Sequence, residues 1–167
     1  MMEKQFFTFS PKHLFREVQV EPVQKYYSYK LLKETDSIVS NSKYEIKKGS
    51  KFYDVLPYVD WSQFLISERF KNILEKNGFN GYKCFPAEIK EGMGAYYGWL
   101  NINEVGPIIK EDEKANIVWF DLDTWHDYDI FHLGGTFMDV CTIKVKEILE
   151  NETITNVEFF PCYGLTQ

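Results

Sequence analysis

The apolar residues of this chain follow one arrangement twice. Leu65–Pro86 and Val140–Pro161 align without a gap at an offset of 75, with six identities over 22 positions. Lys71, Ile73, Leu74, Glu75, Phe85 and Pro86 meet Lys146, Ile148, Leu149, Glu150, Phe160 and Pro161. In each copy a hydroxyl residue, Ser67 or Thr142, precedes apolar positions at i, i+3 and i+4: Phe70, Ile73 and Leu74, or Val145, Ile148 and Leu149. That spacing predicts a short amphipathic helix behind a Ser or Thr cap, whose side-chain oxygen accepts from a first-turn N–H. Gly78 is placed to end the first helix, since glycine enters the left-handed conformation cheaply. Tyr82–Phe85 and Val157–Phe160 then read as strands, and Pro86 and Pro161 are expected to end them because proline cannot donate to a ladder. Two copies of this unit fall short of the three that a solenoid needs.

Outside the repeat, strand-like runs occur at Gln5–Phe9, Tyr26–Leu32, Tyr96–Ile102 and Ile117–Leu122, the last two rich in aromatic or β-branched residues. Lys110–Lys114 reads as a polar loop. Residues 1–50 read either as an N-terminal lobe or as ending in a long polar loop over Ser40–Ser50. Mixed strands and short helices without regular βαβ alternation predict an α+β fold, and no Pro/Gly/Ser linker divides residues 1–167, so a single domain is expected.

The composition fits that expectation. The chain has 167 residues, 44% hydrophobic and 17% aromatic, enough for a folded core and unlike a disordered chain. Nineteen Lys and Arg against 25 Asp and Glu leave a formal charge of −6, with a sequence pI of about 5.1. That balance argues against a binder of the phosphate backbone and makes a basic partner the natural one. No run approaches the roughly 18 apolar residues of a membrane span, so no membrane association and a cytoplasmic location are expected. Cys84, Cys141 and Cys162 are odd in number and lack C-x-x-C spacing. Free thiols in a core are expected in place of disulfides or structural zinc.

The densest polar cluster runs from Asp121 to His132 and holds Asp121, Asp123, His126, Asp127, Asp129 and His132, with Trp125 among them. Hard oxygen and imidazole ligands suit a divalent metal, and Asp121 and Asp123 share a face if they lie on one strand. The cluster lacks the His-Glu-x-x-His helix and the Gly and terminal Glu of a calcium loop. It reads instead as an acidic, aromatic-anchored surface, either a plain solvated loop or a contact for Lys and Arg of a partner, with Trp125 a hot spot if exposed.

Other chemistries are poorly served. There is no Gly-x-Ser-x-Gly elbow, and Ser67 is explained as a cap. Gly92, Gly94 and Gly98 precede a strand-like Trp-Leu-Asn-Ile, not a helix whose N-terminus holds an anion, so no cofactor loop is read there. Tyr26, Tyr27, Tyr29, Phe52, Tyr53, Tyr58, Trp61, Phe64, Tyr96, Tyr97 and Trp99 lack the positive groove that base stacking requires, and Lys43–Lys51 reads as a solvated loop. Neither nucleic acid nor a cofactor is expected as a partner.

One combination of segments carries a family resemblance. Phe64-Leu65-Ile66-Ser67-Glu68-Arg69-Phe70 before a helix, Gly81 through Phe85-Pro86, and Tyr97-Gly98-Trp99-Leu100-Asn101-Ile102 resemble the α+β immunity proteins of bacterial polymorphic toxin systems. Asp129-Ile130-Phe131, the second capped helix and Asn156-Val157-Glu158-Phe159-Phe160-Pro161 are similar to the C-terminal pattern of those proteins, so the resemblance covers about residues 54–161. It implies a cytoplasmic protein that binds a cognate toxin and blocks its active site or substrate approach, without catalytic residues of its own. An acidic inhibitor of a basic enzyme agrees with it, since opposite charge steers encounter. The expected contact is Asp121, Asp123, Trp125, His126, Asp127 and Asp129. The alternatives are a metal-dependent hydrolase built on Asp121–His132 and an interaction module without a toxin partner.

Overall fold

The computed structural model describes residues 2–23, 42–60, 63–91 and 94–166. Among them are two α-helices and thirteen strands, so the fold is α+β but dominated by sheet. The strands are β1 (Glu3–Pro11), β2 (Gln19–Pro22), β3 (Ser42–Lys48), β4 (Val55–Pro57), β5 (Phe64–Ser67), β6 (Tyr82–Ile89) and β7 (Tyr96–Asn101). They continue as β8 (Glu104–Val105), β9 (Ile108–Asp112), β10 (Ile117–Asp121), β11 (Ile130–Leu133), β12 (Asp139–Thr142) and β13 (Val157–Leu165). The helices are α1 (Glu68–Lys76) and α2 (Ile143–Asn151), and a 3-10 turn covers Leu122–Thr124.

Two sheets form, in the orders β2-β3-β6-β7-β5-β4 and β8-β11-β12-β1-β13-β10-β9. Their registers correspond residue by residue at the offset of 75. Val55 faces Ile66, Leu56 faces Leu65 and Pro57 faces Phe64 across β4 and β5; Ile130 faces Cys141, Phe131 faces Val140 and His132 faces Asp139 across β11 and β12. The central strands lie crosswise in the sequence. β7 pairs with β5 and β6, whereas the matching place between β12 and β13 is taken by β1 from the other end of the chain. Leu65 faces Gly98 and Val140 faces Thr8, so Gly98 corresponds to Thr8, Trp99 to Phe9 and Asn101 to Pro11.

Each sheet curls until its edges meet. A parallel bridge from Val20 to Tyr58 joins β2 to the end of β4, and only Gly106 and Pro107 separate β8 on one edge from β9 on the other. Inside one sheet lie Val18, Val20, Tyr44, Leu56, Tyr58, Leu65 and Tyr96. Inside the other lie Phe6, Val105, Phe120, Phe131, Leu133 and Val140 with Cys162. A third cluster joins the halves: Phe70 and Leu74 of α1 and Val145 and Leu149 of α2 pack with Phe9, Ile66, Trp99 and Cys141. Burying one such Phe or Leu stabilises by about 1.5–3 kcal/mol, so the helices hold the two sheets together through their apolar stripes.

The expected caps divide. Ser67 Oγ accepts from Phe70 N at 3.1 Å and donates to Asp54 Oδ1 at 2.7 Å. Thr142 has the same cap dihedrals, yet its hydroxyl is buried without a hydrogen bond. Gly78 ends α1 at φ 66°, and Thr153, at the same place after α2, adopts φ 53°.

Three expectations need correction. Pro86 and Pro161 do not end their strands. Each stands one residue before the first pair with a parallel neighbour, Ala87 with Ser42 and Cys162 with Val118, so the missing N–H falls outside that ladder. Lys110–Asp112 are not loop but the end of β9, polar because an edge strand exposes both faces there; the turn begins at Glu113. Most of Ser40–Ser50 is β3, with Tyr44 buried inside its sheet. The expected strand at Tyr26–Leu32 lies outside the described residues. The three cysteines are free, Cys141 and Cys162 buried and Cys84 half-buried; burial pushes the Cys84 and Cys162 thiols up to about 12. None of the helices among the described residues is long and apolar enough to cross a membrane.

Candidate functional site

The segment Asp121–Asp129 leaves β10, turns once and enters β11, and its backbone explains why it is polar. Asp121 closes the 3-10 turn by accepting from Asp123 N at 3.0 Å. Thr124 Oγ1 donates to Asp121 O at 2.9 Å and accepts from Gly106 N at 2.9 Å, tying the turn to the β8–β9 link. Leu122 is buried beneath it.

Trp125 is the anchor. Its Nε1 donates to Tyr128 O at 2.9 Å, its ring meets Phe6 edge-on at 5.3 Å, and Lys4 Nζ stands 3.6 Å from its centroid. The ring is half-buried, so it is neither wholly core nor wholly available to a partner. Asp127 takes φ 57°, a left-handed conformation that Asp tolerates better than most residues, and leaves its side chain exposed beside exposed His126 and Asp123.

Asp129 is spent on architecture. Its Oδ2 accepts from Asn80 N at 3.1 Å and its own N–H donates to Asn80 Oδ1 at 3.0 Å. Asp54, its counterpart 75 residues earlier, does the same with Thr155: Asp54 Oδ2 accepts from Thr155 N at 2.9 Å, and Asp54 N donates to Thr155 Oγ1 at 2.9 Å. Each half thus uses an Asp to clasp the loop after the other half's helix. Asp121 and Asp129 are therefore occupied, and the side chains presented to solvent are Asp123, His126 and Asp127. His132 does not join them; it is 3% exposed in β11, with Nε2 3.2 Å from Glu104 Oε2. Among the described residues no three His, Cys, Asp or Glu side chains come together to hold a metal ion.

A second polar arrangement was not legible as a cluster in the sequence. Asp139 of β12 accepts from Asn101 Nδ2, which also donates to Phe131 O at 3.1 Å. The buried Trp99 Nε1 has no hydrogen bond of good geometry but lies close enough to favour the ionised Asp139. Burial outweighs both donors and pushes the Asp139 carboxyl up to about 7. Asp139 is among the residues lining a cleft of about 220 Å³, with Phe9, Phe64, Phe137, Met138 and Phe160. The signal was one residue away: extending the repeat alignment by a single position sets Phe64 against Asp139, an apolar residue against a carboxylate.

The residues weighed above for a cofactor loop or a stacking surface are partly core and partly outside the described residues. Gly98 lies inside β7, where the Phe85 ring occupies the space a Cβ would fill, 2.0 Å away. Phe64, Tyr96 and Trp99 are core; Tyr26, Tyr27, Tyr29, Trp61 and Gly92 lie outside the described residues. No protein-family model matches the chain, and no curated protein matches it.

Proposed function

We propose that this chain is an intracellular immunity protein that binds a cognate toxin domain and occludes it, built from two copies of one strand–strand–helix–strand unit that arose by duplication. The observation that carries the binding reading is the turn after β10. Its carboxylates do not converge on a common point; backbone bonds and the Trp125 anchor hold them apart, with Asp123, His126 and Asp127 facing outward. A charged surface fixed before encounter loses little entropy on binding, and the net charge of −6 steers a basic partner toward it. The duplication is supported by registers that agree at one offset through both sheets.

The test is co-expression in bacteria with the protein encoded immediately upstream. Rescue of growth with co-purification of the two chains is expected. Asp123→Lys combined with Asp127→Asn keeps the left-handed turn and the Asp121 cap, and should weaken the complex about tenfold while flattening its salt dependence. Unchanged affinity would remove this turn from the interface.

A further inference from the structure

We propose that the cleft lined by Asp139 and its neighbouring Phe residues receives one arginine side chain of a partner protein. This builds on the reading of the chain as a protein binder, and it names a second contact, distinct from the Asp121–Asp129 turn.

Comparison of the two halves carries the argument. Where the second half places Asp139, His132 and Asn101, the first half places Phe64, Pro57 and Pro11 in the same sheet positions. The matching sheet positions close without polar groups, so the fold does not require a carboxylate at Asp139, although Asn101 there ties β7 to β11 and β12. Half-buried Asp139 makes no ion pair among the described residues. Among the described residues no Lys or Arg forms an ion pair with it: β7 contributes Trp99 and Asn101, β1 contributes Phe9, and β12 itself contributes the Cys141 thiol, on which Lys146 acts. The imidazole opposite it, His132 on β11, is engaged with Glu104 of β8. Thr8, Ser10 and Asn116 complete the polar lining of the cleft.

The walls specify the cation. Half-buried Phe160 and exposed Phe137 offer aromatic surface against which a planar guanidinium packs, with buried Phe9 and Phe64 also lining the cleft. At the rim Phe137 is 69% and Met138 37% exposed, large apolar side chains placed to cover the stem of an entering residue. One carboxylate in the lining of an aromatic cleft is complementary in charge to arginine.

The experiment titrates the full chain with N-acetyl-arginine amide, following the Asp139 carboxyl carbon and the Trp99 indole N–H by NMR. Saturable shifts at both are expected, with affinity about tenfold higher at pH 8 than at pH 6, because a cation binds the ionised carboxylate and displaces its proton. N-acetyl-citrulline amide, the neutral isostere, should bind at least about tenfold more weakly at pH 8. Equal binding of the two amides, pH-independent binding, or no saturable shift with the arginine compound would overturn the proposal. Asp139→Asn should abolish the difference between the amides, and a retained preference for arginine in that variant would also overturn it. Should the variant not fold, the comparison of the two amides on the unaltered chain still decides. Because no toxin is present, the result stands apart from the co-expression test.

Discussion

Asp139 has a consequence for stability as well as for binding. Its carboxyl is held at about 7 in the folded chain against an ordinary value of 3.8, chiefly by burial. Between those values the unfolded chain has released the proton that the folded chain keeps, so stability falls as pH rises from about 4 to 7 and the full cost is present above that window. Asp139→Asn should abolish this slope and stabilise the protein at pH 8 by on the order of 3 kcal/mol, read from urea titrations at several pH values. Backbone conformation gives two further tests. A Cβ on Gly81, at φ 100°, would stand 1.8 Å from Ile130 O, so Gly81→Ala should cost about 3 kcal/mol or more in thermal or urea unfolding. Thr153 holds φ 53°, which a β-branched residue adopts only under strain, and Thr153→Asn should gain about 1 kcal/mol.

The two helices invite a paired comparison, because they share length, cap position and packing but not cap chemistry. Ser67 bonds both Phe70 N and Asp54, so Ser67→Ala should lose about 1–2 kcal/mol. The Thr142 hydroxyl is buried without a partner, so Thr142→Val, which keeps the shape and removes the oxygen, should gain about 1 kcal/mol. Opposite signs in urea unfolding would show that the repeat conserves the position of a cap and not its bond. The helices were legible because their apolar positions fall at i, i+3 and i+4 and both ends carry local signals. The strands were harder. β9 and β3 are rich in Lys and Glu and read as loops, since an edge strand or a strand with one solvated face needs few apolar residues.

At the scale of the molecule, the sheets depend on each other: β1 completes the sheet of the second half and β7 that of the first, while α1 and α2 pack in a shared core. The chain should therefore unfold in one transition, with calorimetric and van't Hoff enthalpies equal; two resolved transitions would show that the halves are separately stable. The repeat pattern, the helices and the strands over most of Gln5–Phe9, Tyr96–Ile102 and Ile117–Leu122 were determined by the sequence itself, because they rest on local periodicity and on matches at a single offset. Of the cysteines expected in a core, Cys141 and Cys162 lie buried while Cys84 is half-buried. Only the tertiary structure decided that β1 lies between β12 and β13, that Pro86 and Pro161 continue their strands, and that Asp129 clasps Asn80 while Asp123 and Asp127 face solvent. It alone brought Asn101 and Trp99 to Asp139. Those facts depend on which segments become neighbours across 38 residues or more, and strand pairing at that range is chosen by the burial of whole faces, a quantity that no short window of sequence contains.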